Sequence, residues 1–335
     1  MTRKSIELAR VTHATLEFSN VRDEEWVVVY SDTSRDPDLV DAFFAAAHAL
    51  AGEATLLLRT PQPVLAEPRD SIRDLLKAAN MVVDLASNPW LYTYALNAII
   101  DSGTRVLQVN PSAASLNRLP PAEWKIRRAE AGAALFTAAD DIELTSAAGT
   151  HLRMRAAGRP GWGQDGVVRR PGDWDNAGTS ILAVAPLEDA VDGILVVEPG
   201  DTIATRPRRA RAHDAMRLTI EGGRITGIDG GYEAHLFREW LAQWNDPGSY
   251  VVAHTGFGAD PRATVDDPGE WESIEGGINI AFGSNLFRGL AGRNHARSHL
   301  DIVVLKHSMK ISGETVVDAG RLIEPTITQA APNAT

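Results

Sequence analysis

The sequence predicts an α/β plus β-rich chain. Residues 1–130 read as a Rossmann-like α/β domain with a parallel sheet, and residues 131–335 as a mainly β domain. Three observations carry this. The 335 residues exceed what a single hydrophobic core usually organises. Up to Pro120, strand-like apolar runs alternate with segments of helical spacing, the pattern of a parallel sheet with right-handed crossovers. Beyond that point β-rich runs follow one another with few helical interruptions.

The elements can be taken in order. "EWVVVYSD" is a β-rich run. "DPDLVDAFFAAAHALAG" has an Asp start, helical spacing and a Gly stop. "ATLLLRT" reads as a second strand, "DSIRDLLKAA" as a helix and "MVVDLAS" as a third strand. "PWLYTYALNAIIDSG" reads as a helix opened by Pro89 and closed by Gly103, and "TRVLQVN" as a fourth strand. One more helix is expected from Ala122 to Ala138. The β signals then run through "IELTSAAGTHLRMRAAG", "GILVVEPGD" and "AMRLTIEGGRITGIDGG", the last a hairpin about Gly222-Gly223. The helix "YEAHLFREWLAQWN" interrupts before "SYVVAHTGFG", "GINIAFGS" and "HLDIVVLKHSMKISGETVV". The tail "TITQAAPNAT" reads as frayed.

Composition narrows the function. The chain has no cysteine, which excludes disulfides, iron–sulfur clusters, cysteine–zinc sites and thiol nucleophiles. A formal charge of −11 argues against nucleic acid as a partner. The basic "RPRRARAH" (Arg206 to His213) is short and reads as a solvated loop. No apolar run reaches membrane-span length and no secretory h-region follows the N-terminus, so no membrane association and a cytoplasmic location are expected. No G-x-G-x-x-G follows the first strand and no Walker loop is present.

Of nine histidines, His13, His48, His213 and His235 sit in ordinary helix or loop contexts. His151 begins a strand without an obvious donor partner, and His307 reads as exposed. His254, His295 and His299 remain. His254 ends an apolar run and precedes the glycine-rich "TGFGADPR", a strand end over a loop. In "SHLDIVV", His299 and Asp301 share one strand face while Leu300, Ile302 and Val304 share the other. Two imidazoles and a carboxylate on one face of a metal form the facial triad of non-haem Fe(II) oxygenases. Zinc hydrolases use the same ligand types, so the residues leave oxygenase and hydrolase open. A catalytically silent binding protein on the same scaffold is a third reading.

Four stretches bear a family likeness: "DSGTRVLQVNPSAASLNRLPP", "PLEDAVDGILVVEPGD", "NDPGSYVVAHTGFGADPRA" and "SHLDIVV". Together they resemble the 2,5-dihydroxypyridine 5,6-dioxygenases of bacterial nicotinate and picolinate breakdown, a family similar to the aminopeptidase T group of metallopeptidases. The resemblance implies an Fe(II) cofactor held by His254, His299 and Asp301. It implies a small aromatic substrate and O₂ as partners, with cleavage of 2,5-dihydroxypyridine to N-formylmaleamic acid and no organic cofactor. It also implies a homo-oligomer. The alternative is an aminopeptidase-like or amidohydrolase enzyme with zinc at these residues. Such relatives use two metals, which need bridging carboxylates. Only Glu272 and Glu275 lie nearby in sequence, read as surface residues on a turn.

The chain departs from the family pattern twice. The family has a Leu-His-Ser before the "AGTRVL" strand, where this chain has Leu91, Tyr92 and Thr93. A second family histidine follows a Trp-Asp pair, where this chain has Asn176 after Trp174 and Asp175. Tyr92 and Asn176 are therefore the expected catalytic positions. Leu91, Ser284 and Ser298 are the expected substrate contacts. A phenol with pKa near 10 is a poor base at neutral pH, so proton handling is expected to differ from the family's.

Overall fold

A computed structural model of the chain describes residues 3–88, 90–205 and 208–330. The chain divides into two compact units, Met1–Glu123 with Gln164–Thr179, and Trp124–Gly163 with Ser180–Thr335. The expected boundary at 130 falls inside the helix Glu123–Thr137. The first unit is also not contiguous, because Trp174–Asn176 returns to it as the fifth strand of its sheet.

That sheet has the order Glu53–Arg59, Trp26–Asp32, Met81–Leu85, Arg105–Gln108, Trp174–Asn176, all parallel. One face presents Val27, Val29, Met81, Val83 and Leu107 to a core shared with the helices Arg3–Phe18 and Pro37–Leu50. The N-terminal helix has no counterpart among the sequence expectations. Its mean hydropathy is low, yet Leu8, Val11 and Leu16 are buried along it. The helix expected to open at Pro89 instead spans Tyr94–Asp101, capped by the Thr93 side chain. Glu67 also accepts from the backbone N–H groups of Tyr94 and Ala95, both at 2.8 Å. A carboxylate at a helix N-terminus satisfies orphan donors and meets the positive end of the dipole. Pro89 lies outside the described residues.

The opposite face of this sheet is unusual. Direct register partners in a parallel sheet share a face, and the row Val28, Val82, Val106, Trp174 is apolar. Two residues on, the row Tyr30, Asp84, Gln108, Asn176 is polar, and all four are buried. Burial raises the Asp84 carboxyl to about 7, although the Ala86 N–H and the Trp90 indole oppose the rise.

The second unit holds two antiparallel sheets. One has eight strands, among them Asp141–Thr145, His151–Arg155, Val191–Val197 and the Met216–Glu221/Arg224–Gly230 hairpin. The other has seven, and at its centre run His299–Val304, Ile278–Gly283 and Val252–Gly258 in adjacent positions. Side chains of both sheets meet in one core, including Ile142, Leu144, Met154, Phe257, Ile280, Phe282, Leu300 and Ile302. The helix Tyr232–Ala242 adds Phe237 and Leu241.

Three expectations need correction here. His307 is fully buried, with Nε2 2.7 Å from Thr150 Oγ1, because the chain turns inward between two strands. Within the basic stretch, Arg208 donates to both carboxylate oxygens of the buried Glu233 at 3.0 Å, and Ala210–Arg211 joins a sheet; Arg206 and Pro207 lie outside the described residues. The tail forms a short helix, Pro325–Gln329, capped by Glu324 and anchored by the buried Ile327; residues 331–335 lie outside the described residues.

Asp84 makes the first unit less stable as pH rises toward neutrality. Its folded pKa, about 7, is raised from 3.8. The folded state therefore binds the extra proton between these values, and the associated stability is complete below the lower value and lost as pH rises through the upper. Asp84→Asn removes this dependence. In thermal melts the variant should gain over the native chain at pH 8 and gain much less at pH 5, a difference on the order of a few kcal/mol. Equal gains at both pH values would contradict the assignment.

Candidate metal centre

The centre is built on three neighbouring strands of the seven-stranded sheet. On His299–Val304, Leu300, Ile302 and Val304 enter the core, so His299 and Asp301 face the other way. The register places Gly283 opposite His299 and Ala281 opposite Asp301. Directly opposite His299 and Asp301 the middle strand thus offers only a hydrogen and a methyl group. Gly283 is required there. Its φ is +105°, and a Cβ would collide with the Ser298 carbonyl.

His254 reaches the same face through a β-bulge. Val252 pairs with Phe282 and Thr255 with Ile280, so Ala253 and His254 together oppose the single residue Ala281. Val252 and Phe257 both enter the core, which a regular strand could not do at that spacing. The extra residue shifts the alternation and turns His254 from the core face to the face of His299 and Asp301.

The three side chains converge. One ligand atom from each lies within 4.8 Å of the others. The His254 and His299 rings are 5.3 Å apart and inclined by 26°. His254 Nε2 is 3.3 Å from Asp301 Oδ1, and His299 Nε2 is 3.4 Å from Asp301 Oδ2. Asp301 Oδ1 is nevertheless buried without a hydrogen bond. Groups that point at a common spot rather than at each other fit a shared cation. The His299 Nδ1–H donates to the Ser284 carbonyl at 2.7 Å, which leaves Nε2 as the lone-pair donor. Burial pushes the His254 imidazole down, favouring its neutral form. Burial alone would push Asp301 up, but the adjoining His299 and His254 rings hold its carboxyl well below the usual carboxylate range. An anionic carboxylate and a neutral imidazole are the forms that bind metals.

The other expected residues are placed as follows. Ser284 touches His299 through its main-chain carbonyl, and its hydroxyl lies 3.3 Å from the Asn294 carbonyl. The Ser298 hydroxyl donates to Ser249 at 2.8 Å, on the strand face opposite His299. His295 is exposed and stands outside the cluster. Glu275 is not a plain surface residue, since it is ion-paired with the buried Arg128. Leu91, Tyr92 and Asn176 belong to the first unit. Leu91 is half-buried; Tyr92 is buried and left-handed, with φ +66°, a costly conformation outside glycine. Asn176 closes the polar row, and its Oδ1 accepts from the Asn110 N–H at 3.1 Å. Sequence reasoning missed Ala281 and Gly283, whose value lies only in being small beside a site.

Gly283→Ala tests this construction. The added methyl forces the two strands apart opposite His299, and the left-handed backbone adds roughly 1–3 kcal/mol of strain. The variant should melt lower and retain less metal after dialysis. Native metal retention would show that a glycine opposite His299 is not needed.

Comparison with known proteins identifies the family. The family model described as 2,5-dihydroxypyridine 5,6-dioxygenase matches residues 7–324. The 2,5-dihydroxypyridine 5,6-dioxygenase of Pseudomonas putida is 27% identical over 356 aligned residues, covering 98% of this chain and 100% of the relative. The solved structure of the Pseudomonas putida 2,5-dihydroxypyridine dioxygenase superposes with a TM-score of 0.87 at 26% identity, covering 97% of this chain and 99% of that one. AmpT from Thermus thermophilus shares the fold, with a TM-score of 0.71 at 14% identity over 95% of this chain and 99% of its own. With the family match running almost from end to end, the chain belongs to the 2,5-dihydroxypyridine 5,6-dioxygenase family of ring-cleaving dioxygenases.

Proposed function

We propose that this chain is an Fe(II)-dependent dioxygenase that opens the ring of 2,5-dihydroxypyridine, giving N-formylmaleamic acid. The observation that carries the proposal is the convergence of His254, His299 and Asp301 on one sheet face in a chain of this family. His254 and His299 would hold iron as neutral imidazoles and Asp301 as a carboxylate. When bound, ferrous iron supplies a centre with open positions, where an electron-rich ring and O₂ meet. The residues do the rest. The carboxylate offsets one of the two positive charges, and the apolar side of the three strands secures the ligand geometry from below. Burial of His254 keeps water away from its ring.

Tyr92 and Asn176 are the proposed substrate-side residues, carried over from the family's histidine positions. A phenol and a carboxamide orient a ring hydroxyl by hydrogen bonding, and neither removes a proton readily at neutral pH. With the Asn176 oxygen engaged by Asn110, its NH₂ group is the one that would face a ligand. A two-metal hydrolase is less well supported. Among the described residues, His254, His299 and Asp301 form the one group of three or more ligand-type side chains that converges, and it brings no second bridging carboxylate. Self-association and a cytoplasmic location are proposed on the resemblance and the sequence.

Two experiments test the reading. Protein loaded anaerobically with Fe(II) should consume O₂ with 2,5-dihydroxypyridine in an oxygen electrode, and His254→Ala, His299→Ala and Asp301→Ala should each abolish both iron retention and uptake. A variant that keeps native iron and turnover removes its residue from the ligand set. Separately, Tyr92→Phe should slow turnover about 10²- to 10⁴-fold at unchanged iron content. A silent Tyr92→Phe would reduce Tyr92 to a packing role.

A further inference from the structure

The two histidines of the centre are oriented by different means. His299 is held by its own ring, through the Nδ1–H bond to the Ser284 carbonyl. His254 has no such bond, since its Nδ1 is buried without a partner among the described residues. Its direction therefore depends on the backbone that carries it, the Ala253–His254 bulge. A bulge interrupts the regular ladder, so something outside the ladder must fix it.

That contact is made by Asn285, which is fully buried. Its Nδ2 donates to the Ala253 carbonyl at 3.2 Å, the peptide group that leads into His254. Its Oδ1 accepts from the Asn294 N–H at 2.8 Å, and its own N–H donates to the Asn294 carbonyl at 3.0 Å. Asn294 in turn donates from Nδ2 to the carbonyls of Gly283 and Gly248, both at 2.8 Å. The same Nδ2 also donates to Glu188 Oε1 at 3.4 Å, and Glu188 is ion-paired with Arg159. No Cβ fits at Gly292, because Asn285 occupies that space.

We propose that Asn285 is a positioning residue for the metal centre, a clamp that holds the bulge and so aims His254. The proposal rests on the reading of His254, His299 and Asp301 as metal ligands. The chemistry specifies an amide. The position needs a donor toward Ala253 and an acceptor toward Asn294 on one short side chain, and only asparagine supplies both at this length. Residues 284 and 285 then orient both histidines in succession. Ser284 acts by a main-chain carbonyl on a ring, Asn285 by a side-chain amide on a main-chain carbonyl. Removing the donor takes this hydrogen bond from the Ala253 carbonyl and leaves the bulge free to relax toward the regular register that would turn His254 to the core.

The test uses the full chain, metal-free and then titrated with Co(II), whose visible spectrum reports the ligand field. Asn285→Asp keeps the acceptor and removes the donor. Asn285→Ala removes both without adding charge beside Glu188, and serves should the first variant fail to fold. Either folded variant should bind Co(II) about 10- to 100-fold more weakly than the native chain, with an altered band position. A role in folding alone would lower the melting temperature and leave affinity and spectrum unchanged. Folded variants with affinities within about twofold of native and an unaltered spectrum overturn the clamp, since loss of an orienting partner costs far more than that. A native chain that shows no Co(II) site at all would instead refute the metal-site reading on which the proposal stands.

Discussion

The register of three antiparallel strands decides where His254, His299 and Asp301 stand. A β-strand has two faces, and moving a strand by one residue exchanges them. In the strands that carry His254 and His299, and in the one between them, the inner face is filled by Val252, Phe257, Ile278, Ile280, Phe282, Leu300, Ile302 and Val304. Burying each such side chain contributes about 1.5–3 kcal/mol. A slip that exposed them would cost more than the 5–15 kcal/mol or so by which a typical domain is stable. The apolar core thus specifies where the polar residues stand. His299 and Asp301 face the site because their neighbours cannot leave the core.

Within these three strands the Ala253–His254 bulge is where this alternation is interrupted. Without it His254 would alternate with Val252 onto the core side. One inserted residue moves the ring to the other face while Val252 and Phe257 both remain buried. The middle strand meets the same demand in another way. With Gly283 and Ala281 opposite His299 and Asp301, it closes the ladder and adds almost no volume to the site face.

The first unit carries its polarity differently. Its parallel sheet is covered on both faces, yet the ends of four adjacent strands place Tyr30, Asp84, Gln108 and Asn176 in one buried row. Polar groups buried at the carboxyl ends of parallel strands lie where open α/β sheets bind their ligands. Tyr92, buried with a left-handed backbone, follows the second of these strands, Met81–Leu85. Such conformations persist only where the surroundings over-determine them. Asn176 closes the polar row, and its side-chain oxygen is tied to the Asn110 N–H.

Much of this was legible in the sequence. Alternation of strand and helix signals marks the parallel sheet. The His-x-Asp pair is readable because i and i+2 share a strand face, a purely local property. Glycine pairs mark the hairpin at Gly222-Gly223, which the structure forms between Glu221 and Arg224. Other features had no local signal. The helix Arg3–Phe18 is low in overall hydrophobicity and packs on the helix Pro37–Leu50. His307 follows a lysine in a polar stretch and is buried only because of where the chain turns. Trp174–Asn176 is too short to read as a strand and joins the first sheet from a distant part of the sequence. By itself the sequence determined the residue types at the centre and the shared face of His299 and Asp301, since both follow from composition and a two-residue period. Only the tertiary structure brings His254 beside them, a placement that in the sequence rested on family resemblance and not on any local period. That outcome depends on pairing between strands, where one unpaired residue reverses a face, and on Asn285, thirty-one positions away, whose contact with Ala253 has no local sequence period.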